Sequence, residues 1–163
     1  MSTPLWQPTD KQVQDSNLSA FLRDLSARYS VEFDDYEALH AWSVEHVELF
    51  WQALVEHAKV IAEDWGNVVL QDGNSMPGAR WFPDARLNFV QNLLRKRDGS
   101  EAIVFCGEDQ VVRRTSWNEL YGRVSTLAQA MRAAGVSKDD RVAAYIPNLP
   151  EAVIGMLAAS SIG

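Results

Sequence analysis

Residues 76–94 read MPGARWFPDARLNFVQNLL, and this stretch, here called the strap, decides the fold. Pro77-Gly78 and Pro83-Asp84 are both turn signals. Trp81 and Phe82 lie between the two turns, and rings of this size pack well only against a prepared apolar surface. The apolar residues that follow recur at helical spacing, and they are Leu87, Phe89, Val90, Leu93 and Leu94. The strap is therefore predicted to be an irregular segment, anchored by aromatic rings, that continues into a short helix.

The chain before the strap is predicted to be helical. Polar residues that favour helix N-termini mark four starts, and they are Thr9, Ser16 or Asn17, Asp34-Asp35 and Ser43. The fourth helix places Val47, Phe50, Trp51, Leu54, Ala58 and Ile61 on one face. This spacing is typical of a packing face rather than of a cofactor site, so Trp42, Trp51 and Trp65 are interpreted as packing residues. A short strand is expected at residues 68–70.

A β-hairpin and a capped helix are predicted after the strap. Residues 102–106 and 111–116 have the composition of paired strands, joined by a turn at residues 107–110. In the next helix Ser116 is the expected N-cap. Glu119 stands at the position that completes a capping box.

The last part of the sequence predicts half of a βαβ unit. Residues 142–146 are expected to form a short buried strand, and residues 149–162 a helix that is apolar almost all round. Asn148 and Glu151 are expected to cap that helix. Because such a helix must be covered on more than one side, and a parallel crossover needs a second strand, we expect this chain to be the front of a larger α/β domain.

Composition and charge exclude several classes of protein. The 163 residues are 47% hydrophobic and 23% charged, as in a globular protein. A formal net charge of -7 argues against nucleic acid as a partner. The basic clusters 95–97 and 113–114 are interpreted as solvated faces rather than phosphate sites. The N-terminus lacks the features of a signal peptide, and no apolar run reaches the roughly 18 residues of a membrane span. No membrane partner and a cytoplasmic location are expected.

The search for reactive groups predicts no catalytic, cofactor-binding or metal-binding residue. Cys106 lies in an apolar run and is interpreted as a small buried hydrophobic residue, unable to form an intrachain disulfide. The three histidines, His40, His46 and His57, lack the spacing of metal ligands. Glycine-rich phosphate loops and the nucleophile elbow are absent from the sequence. Asp34-Asp35 and Asp139-Asp140 stand where caps and turns favour aspartate.

Several motifs resemble one enzyme superfamily. The strap residues Trp81-Phe82-Pro83, Leu87-Asn88 and Asn92-Leu93 resemble acetyl-CoA-synthetase-like enzymes among the adenylate-forming ligases, and Met76 to Arg80 resembles the acetoacetate–CoA ligase branch. Residues 115–120 resemble the first core motif of the superfamily, with Trp117 where the pattern has tyrosine. Residues 141–151 and 156–163 resemble the segments that follow. The resemblance runs from Pro4 to Gly163 and concerns only the opening part of a longer enzyme.

The resemblance implies a fold and a function. The fold is α/β, with a helical N-terminal cap region at residues 1–75, an aromatic strap and linker at 76–100, and the incomplete start of the adenylate-forming domain at 101–163. The complete enzyme would use ATP, Mg²⁺ and CoA to convert acetoacetate through an acyl-adenylate to acetoacetyl-CoA, AMP and pyrophosphate. The phosphate loop, ribose-binding aspartate and C-terminal lysine of the family have no counterpart here, so this chain alone is expected to be inactive.

Two alternatives stay open. One is a standalone, non-catalytic interaction module that binds a partner through its apolar last helix. The other is a ligase for another short-chain acid, such as acetate or propionate, which residues 76–80 disfavour. An exposed last helix and an open strand edge also predict self-association.

Overall fold

The computed structural model describes residues 5–108 and 112–163. Its elements, in chain order, are α1 Asp10–Gln14, α2 Asn17–Tyr29, α3 Tyr36–Glu45, α4 Val47–His57, β1 Leu70–Gln71, β2 Arg80–Trp81, α5 Phe89–Leu93, β3 Glu101–Cys106, β4 Val112–Ser116, α6 Trp117–Ala133 and α7 Pro150–Ile162. Two predicted segments extend beyond the described residues. The family resemblance begins at Pro4, and the predicted hairpin includes residues 109–111.

Internal contacts divide the chain into two compact units. Unit 1 comprises residues 1–60 and 65–85, and unit 2 comprises residues 61–64 and 86–163. The predicted division into a cap region (1–75), a strap and linker (76–100) and an incomplete domain (101–163) stays a prediction.

Three of the four predicted helix starts in unit 1 are confirmed. The side-chain oxygens of Thr9, Ser16 and Asp35 each accept a hydrogen bond from the backbone N–H three residues further on, at 3.3, 3.1 and 2.8 Å. Each bond satisfies an N–H group that has no partner inside its helix. These helix starts therefore follow from local sequence.

The predicted cap at Ser43 is wrong. Helix α3 continues through Ser43, whose hydroxyl donates to the carbonyl of His40 at 2.8 Å. A serine inside a helix commonly bonds back to the preceding turn in this way, and the helical backbone of Ser43 is not that of an N-cap. The break comes at His46, and α4 then ends at His57 rather than near Ile61.

Unit 1 is built around a small apolar cluster from α2, α3 and α4. Its buried members are Phe21, Leu25, Leu39 and Ala53. On α4 the buried position is Ala53, whereas Trp51, expected on the packing face, keeps 39% of its surface exposed. Trp42 packs against the cluster with its ring 5.4 Å from that of Tyr29, so its interpretation as a packing residue is confirmed.

A short strand within the strap pairs with a short strand that precedes the strap. Strands β1 and β2 pair antiparallel, with Leu70 opposite Trp81. The strand expected at residues 68–70 therefore starts at its last residue. Within the strap, Arg80 and Trp81 form a regular strand where an irregular segment was predicted. The short helix expected within the strap is confirmed as α5, in which Val90 is 3% exposed.

Unit 2 contains the hairpin, whose prediction is confirmed, and the helices α5, α6 and α7. Strands β3 and β4 pair antiparallel, and Ser116 and Glu119 form the predicted capping box at the start of α6. The hydrophobic core joins α5, α6 and α7; its buried members are Val90, Leu94, Leu120, Val124, Ala128, Ile154, Leu157 and Ala158.

The predicted strand at residues 142–146 is not formed. Residues 141–147 have no regular secondary structure, and Val142, Tyr145 and Ile146 are exposed. A strand needs a neighbour to bond its backbone groups, and the described residues provide none there. The cap of α7 was also predicted wrongly. Its N-cap is Leu149, which makes no side-chain capping bond, and Pro150 occupies the first turn.

Candidate functional site

The aromatic residues of the strap pack within unit 1. The ring of Trp81 lies 5.2 Å from that of Trp51, and the ring of Phe82 lies 5.2 Å from that of Trp65. Phe82 has a φ of 42°, a left-handed conformation that is uncommon for an aromatic residue. Its N–H donates to the carbonyl of Val69 at 2.8 Å, which holds this conformation in place. The packing predicted for Phe82 is confirmed, whereas Trp81 contacts Trp51 but keeps 43% of its surface exposed.

A cleft of about 570 Å³ lies beside these rings in unit 1. Trp65, Phe82 and Val55 form part of its apolar wall, and Glu56 and Asn67 are among its polar residues. The Glu56 carboxylate pairs with Arg28, and this bond raises the pKa of the arginine. Among the described residues that line the cleft there is no histidine, cysteine or serine, so a Ser–His or Cys–His pair is not found there.

Two asparagines of the strap have structural roles in unit 2. Asn92 bonds both backbone groups of Ile61, accepting from its N–H at 2.7 Å and donating to its carbonyl at 2.8 Å. Asn88 caps α5, and its amide group donates to the carbonyl of Ser160 at 3.2 Å. These strap positions of the resemblance therefore fix backbone segments together.

The histidines serve as packing and pairing residues in unit 1. His57 pairs with Asp24, and its ring lies 5.1 Å from Phe21. His46 stacks on Trp42 at 5.2 Å with an interplanar angle of 9°, and its Nδ1 is buried without a hydrogen-bond partner. Within residues 5–108 and 112–163 no three histidine, cysteine, aspartate or glutamate side chains cluster as metal ligands would.

Several carboxylates are held in the ionised form by structural hydrogen bonds. Backbone and hydroxyl donors on Ser116 lower the pKa of Glu119, and the same groups on Ser137 lower the pKa of Asp140. A general acid or base at neutral pH needs a pKa shifted the other way. Asp140 therefore caps a turn, as predicted for the aspartate pair at 139–140, and Asp35 caps α3.

Cys106 is exposed, so its interpretation as a buried hydrophobic residue is wrong. Side chains alternate between the two faces of a strand. On β3 the half-buried positions include Ile103 and Phe105, which puts Val104 and Cys106 on the open face. The apolar run concealed this alternation in the sequence.

The basic cluster at residues 113–114 does not provide a phosphate site. Arg113 and Arg114 are engaged by Glu151 and Glu101, so this basic cluster is not open to phosphate. The described residues also lack a cluster of oxygen ligands for Mg²⁺. The absence of catalytic, cofactor-binding and metal-binding residues from this chain stays a prediction. No helix in the described part of the chain has the length and apolar character to cross a membrane.

Two family models match parts of this chain. The profile of the AMP-binding enzyme family matches residues 90–163, and that of the acetyl-coenzyme A synthetase N-terminus matches residues 36–93. Residues 36–163 are thus similar to acetyl-CoA-synthetase-like enzymes of the AMP-binding family. The family predicted from the strap and the core motifs is therefore confirmed.

Several proteins that resemble this chain are acetoacetyl-CoA synthetases. The one from Rhizobium meliloti (strain 1021) is 48% identical over 160 residues, which are 98% of this chain and 24% of the relative. That of Macaca fascicularis is 32% identical, again over 98% of this chain and 24% of the relative. The chain thus spans about a quarter of the length of the curated relatives that it matches.

A solved structure gives the same result. Acetoacetyl-CoA Synthetase from Streptomyces lividans superposes with a TM-score of 0.89 at 35% sequence identity. The match covers 99% of this chain and 26% of that chain. The predicted fold class, the α/β opening portion of an adenylate-forming enzyme with its helical N-terminal region, is confirmed.

Proposed function

We propose that this chain forms the N-terminal part of an ATP-dependent acid–CoA ligase. The complete enzyme converts acetoacetate, ATP and CoA to acetoacetyl-CoA, AMP and pyrophosphate through an acyl-adenylate. The observation that carries the proposal is the match to the Streptomyces lividans enzyme over 99% of this chain. Identity of 48% to the Rhizobium meliloti relative over the same length supports it.

The role of this chain within the enzyme is structural. Its strap packs aromatic rings in unit 1, and its asparagines join backbone segments in unit 2. ATP, Mg²⁺, CoA and acetoacetate would bind to groups supplied by other parts of the enzyme. The 163 residues by themselves are expected to have no ligase activity.

A cytoplasmic location and self-association complete the proposal. ATP and CoA are intracellular substrates, and the chain has a single cysteine, as is common in a reducing compartment. In unit 2 the exposed apolar residues Val142, Tyr145, Ile146 and Met156 would drive association of the isolated chain. No nucleic acid and no membrane are proposed as partners.

A second acid substrate has some support. The malonamoyl-CoA synthetase of Penicillium aethiopicum is 32% identical over 151 residues, which are 88% of this chain. A relative named for a different acid lies within the same range of identity as several named for acetoacetate. The identity of the acid substrate is therefore the most specific part of the proposal, and the experiment must determine it.

The test is the coding sequence downstream of Gly163 and the activity of the protein that it encodes. We expect a further strand, a Ser/Thr/Gly-rich phosphate loop and a late lysine, and release of pyrophosphate from ATP that depends on acetoacetate. If pyrophosphate release depends on malonamate, acetate or propionate but not on acetoacetate, the enzyme is a ligase for that other acid. A stop codon directly after Gly163 would overturn it for this product.

A further inference from the structure

Two arginines line one cleft in unit 2. The cleft has a volume of about 340 Å³, and Arg97 and Arg132 are among its lining residues. Arg97 follows helix α5, and Arg132 lies in the last turn of α6. They are separated in sequence and brought together by the packing of the helices. We call this cavity the arginine cleft.

One face of α6 builds a wall of the arginine cleft. Tyr121, Ser125 and Arg132 line it at spacings of four and seven residues, which places them along one side of the helix. The guanidinium carbon of Arg97 lies 3.7 Å from the centroid of the Tyr121 ring, a cation–π contact that holds the guanidinium group at the cleft. The position of this charge is therefore fixed by packing.

The charge of the arginine cleft is not balanced by its own lining. Among the described residues no aspartate or glutamate lines it, although the whole chain has a formal net charge of -7. In the described part of the chain, Arg97 and Arg132 have no carboxylate within ion-pair distance, whereas Arg113 and Arg114 each have one. Two arginines facing one cavity without an acidic partner leave a local positive potential.

Neutral hydrogen-bonding groups complete the lining. Gln91, Ser125 and Ser161 contribute an amide and two hydroxyl groups at the cleft. The floor is apolar and buried, as shown by Val90 and Val124, each 3% exposed. A few polar groups over an apolar floor are typical of sites for small molecules.

We infer that the arginine cleft binds a small phosphate-bearing molecule. The guanidinium group is planar and permanently charged, and its paired N–H donors match the oxygens of a phosphate group. The volume lies near the lower limit of ligand cavities, about 300 Å³, which suits a small molecule. This inference goes beyond the proposed ligase reaction and does not depend on it.

The experiment measures binding of pyrophosphate to the 163-residue chain by isothermal titration calorimetry at neutral pH and low ionic strength. We expect saturable binding to one site. Because each arginine would supply a charge-assisted hydrogen bond, R97Q and R132Q should each weaken binding about tenfold. The lysine variants R97K and R132K should lose less, since they keep the charge.

The matched control is R123Q. Arg123 lies on the same helix but outside the lining of the arginine cleft, and its replacement removes the same unit of charge. It should bind pyrophosphate as the unmodified chain does, and thermal unfolding should show that all variants are folded. Equal weakening by R123Q, or no binding by the folded unmodified chain, would overturn the inference. Either result would leave the proposed ligase function untouched, since that is tested by activity of the longer protein.

Discussion

The guanidinium group of Arg113 forms a bidentate pair with the carboxylate of Glu151, with Nη1–Oε1 and Nη2–Oε2 distances of 2.7 and 3.0 Å. Arg113 lies on β4, and Glu151 lies in the first turn of α7. The pair joins the hairpin to the last helix within unit 2. The bonds lower the pKa of Glu151 below its ordinary value of 4.5 and raise the pKa of Arg113.

The first prediction concerns acid stability. Because the folded-state pKa of Glu151 is depressed, its contribution to stability is complete above pH 4.5 and is lost as the pH falls through the lower folded-state value. The variant E151Q should therefore unfold at a lower urea concentration than the unmodified chain at neutral pH, with a smaller difference in acid. The charge-reversed double variant R113E/E151R should recover part of the loss. Equal urea midpoints at neutral pH would contradict the prediction.

The second prediction compares two neighbours on α7. Leu157 is 1% exposed, and its replacement by alanine leaves a cavity that should cost about 2–5 kcal/mol in the free energy of unfolding. Met156 is 56% exposed, so M156A should cost less than about 0.5 kcal/mol. Chemical denaturation of both variants measures the difference. Similar losses would show that this helix is covered differently in solution.

The third prediction concerns the strap asparagine Asn92. The variant N92A removes the partners of the N–H and carbonyl of Ile61, and the unpaired groups should cost about 1–3 kcal/mol. The neighbouring variant Q91A is the control, because the Gln91 side chain is exposed. Urea denaturation measures both. A loss no larger in N92A than in Q91A would contradict the structural role given to this residue.

The fourth prediction tests the position of Cys106. An exposed thiol reacts with a disulfide reagent in the folded protein, whereas a buried thiol reacts only after opening. The folded chain should therefore release one equivalent of reporter, at a rate similar to that in denaturant. Labelling only in denaturant would restore the buried interpretation.

Local sequence was sufficient for most of the helices. Capping residues such as Thr9 and Ser116 act on groups within three positions, so their effect is visible in the sequence itself. Ser43 failed because the same hydroxyl that caps a helix also bonds back inside one. Whether Cys106 is buried or exposed depends on which face of β3 meets the core, and an apolar run in the sequence does not reveal that face.

Non-local features could not be predicted in this way. The segment 142–146 has strand composition, but a strand is formed by its neighbours, and none stands beside it in the described chain. The arginine cleft requires Arg97 and Arg132, 35 positions apart, to line one cavity, which depends on how unit 2 folds. In the sequence, Arg97 was visible only as part of a basic cluster that indicated a solvated face.

The most direct test of the central claim is a chimeric enzyme. This chain would replace the matching N-terminal segment of the Rhizobium meliloti acetoacetyl-coenzyme A synthetase, to which it is 48% identical. The measurement is release of pyrophosphate from ATP that depends on acetoacetate, with the same enzyme lacking any N-terminal segment as the control. The account predicts activity comparable to that of the parent and none in the control. A folded chimera without activity would contradict it.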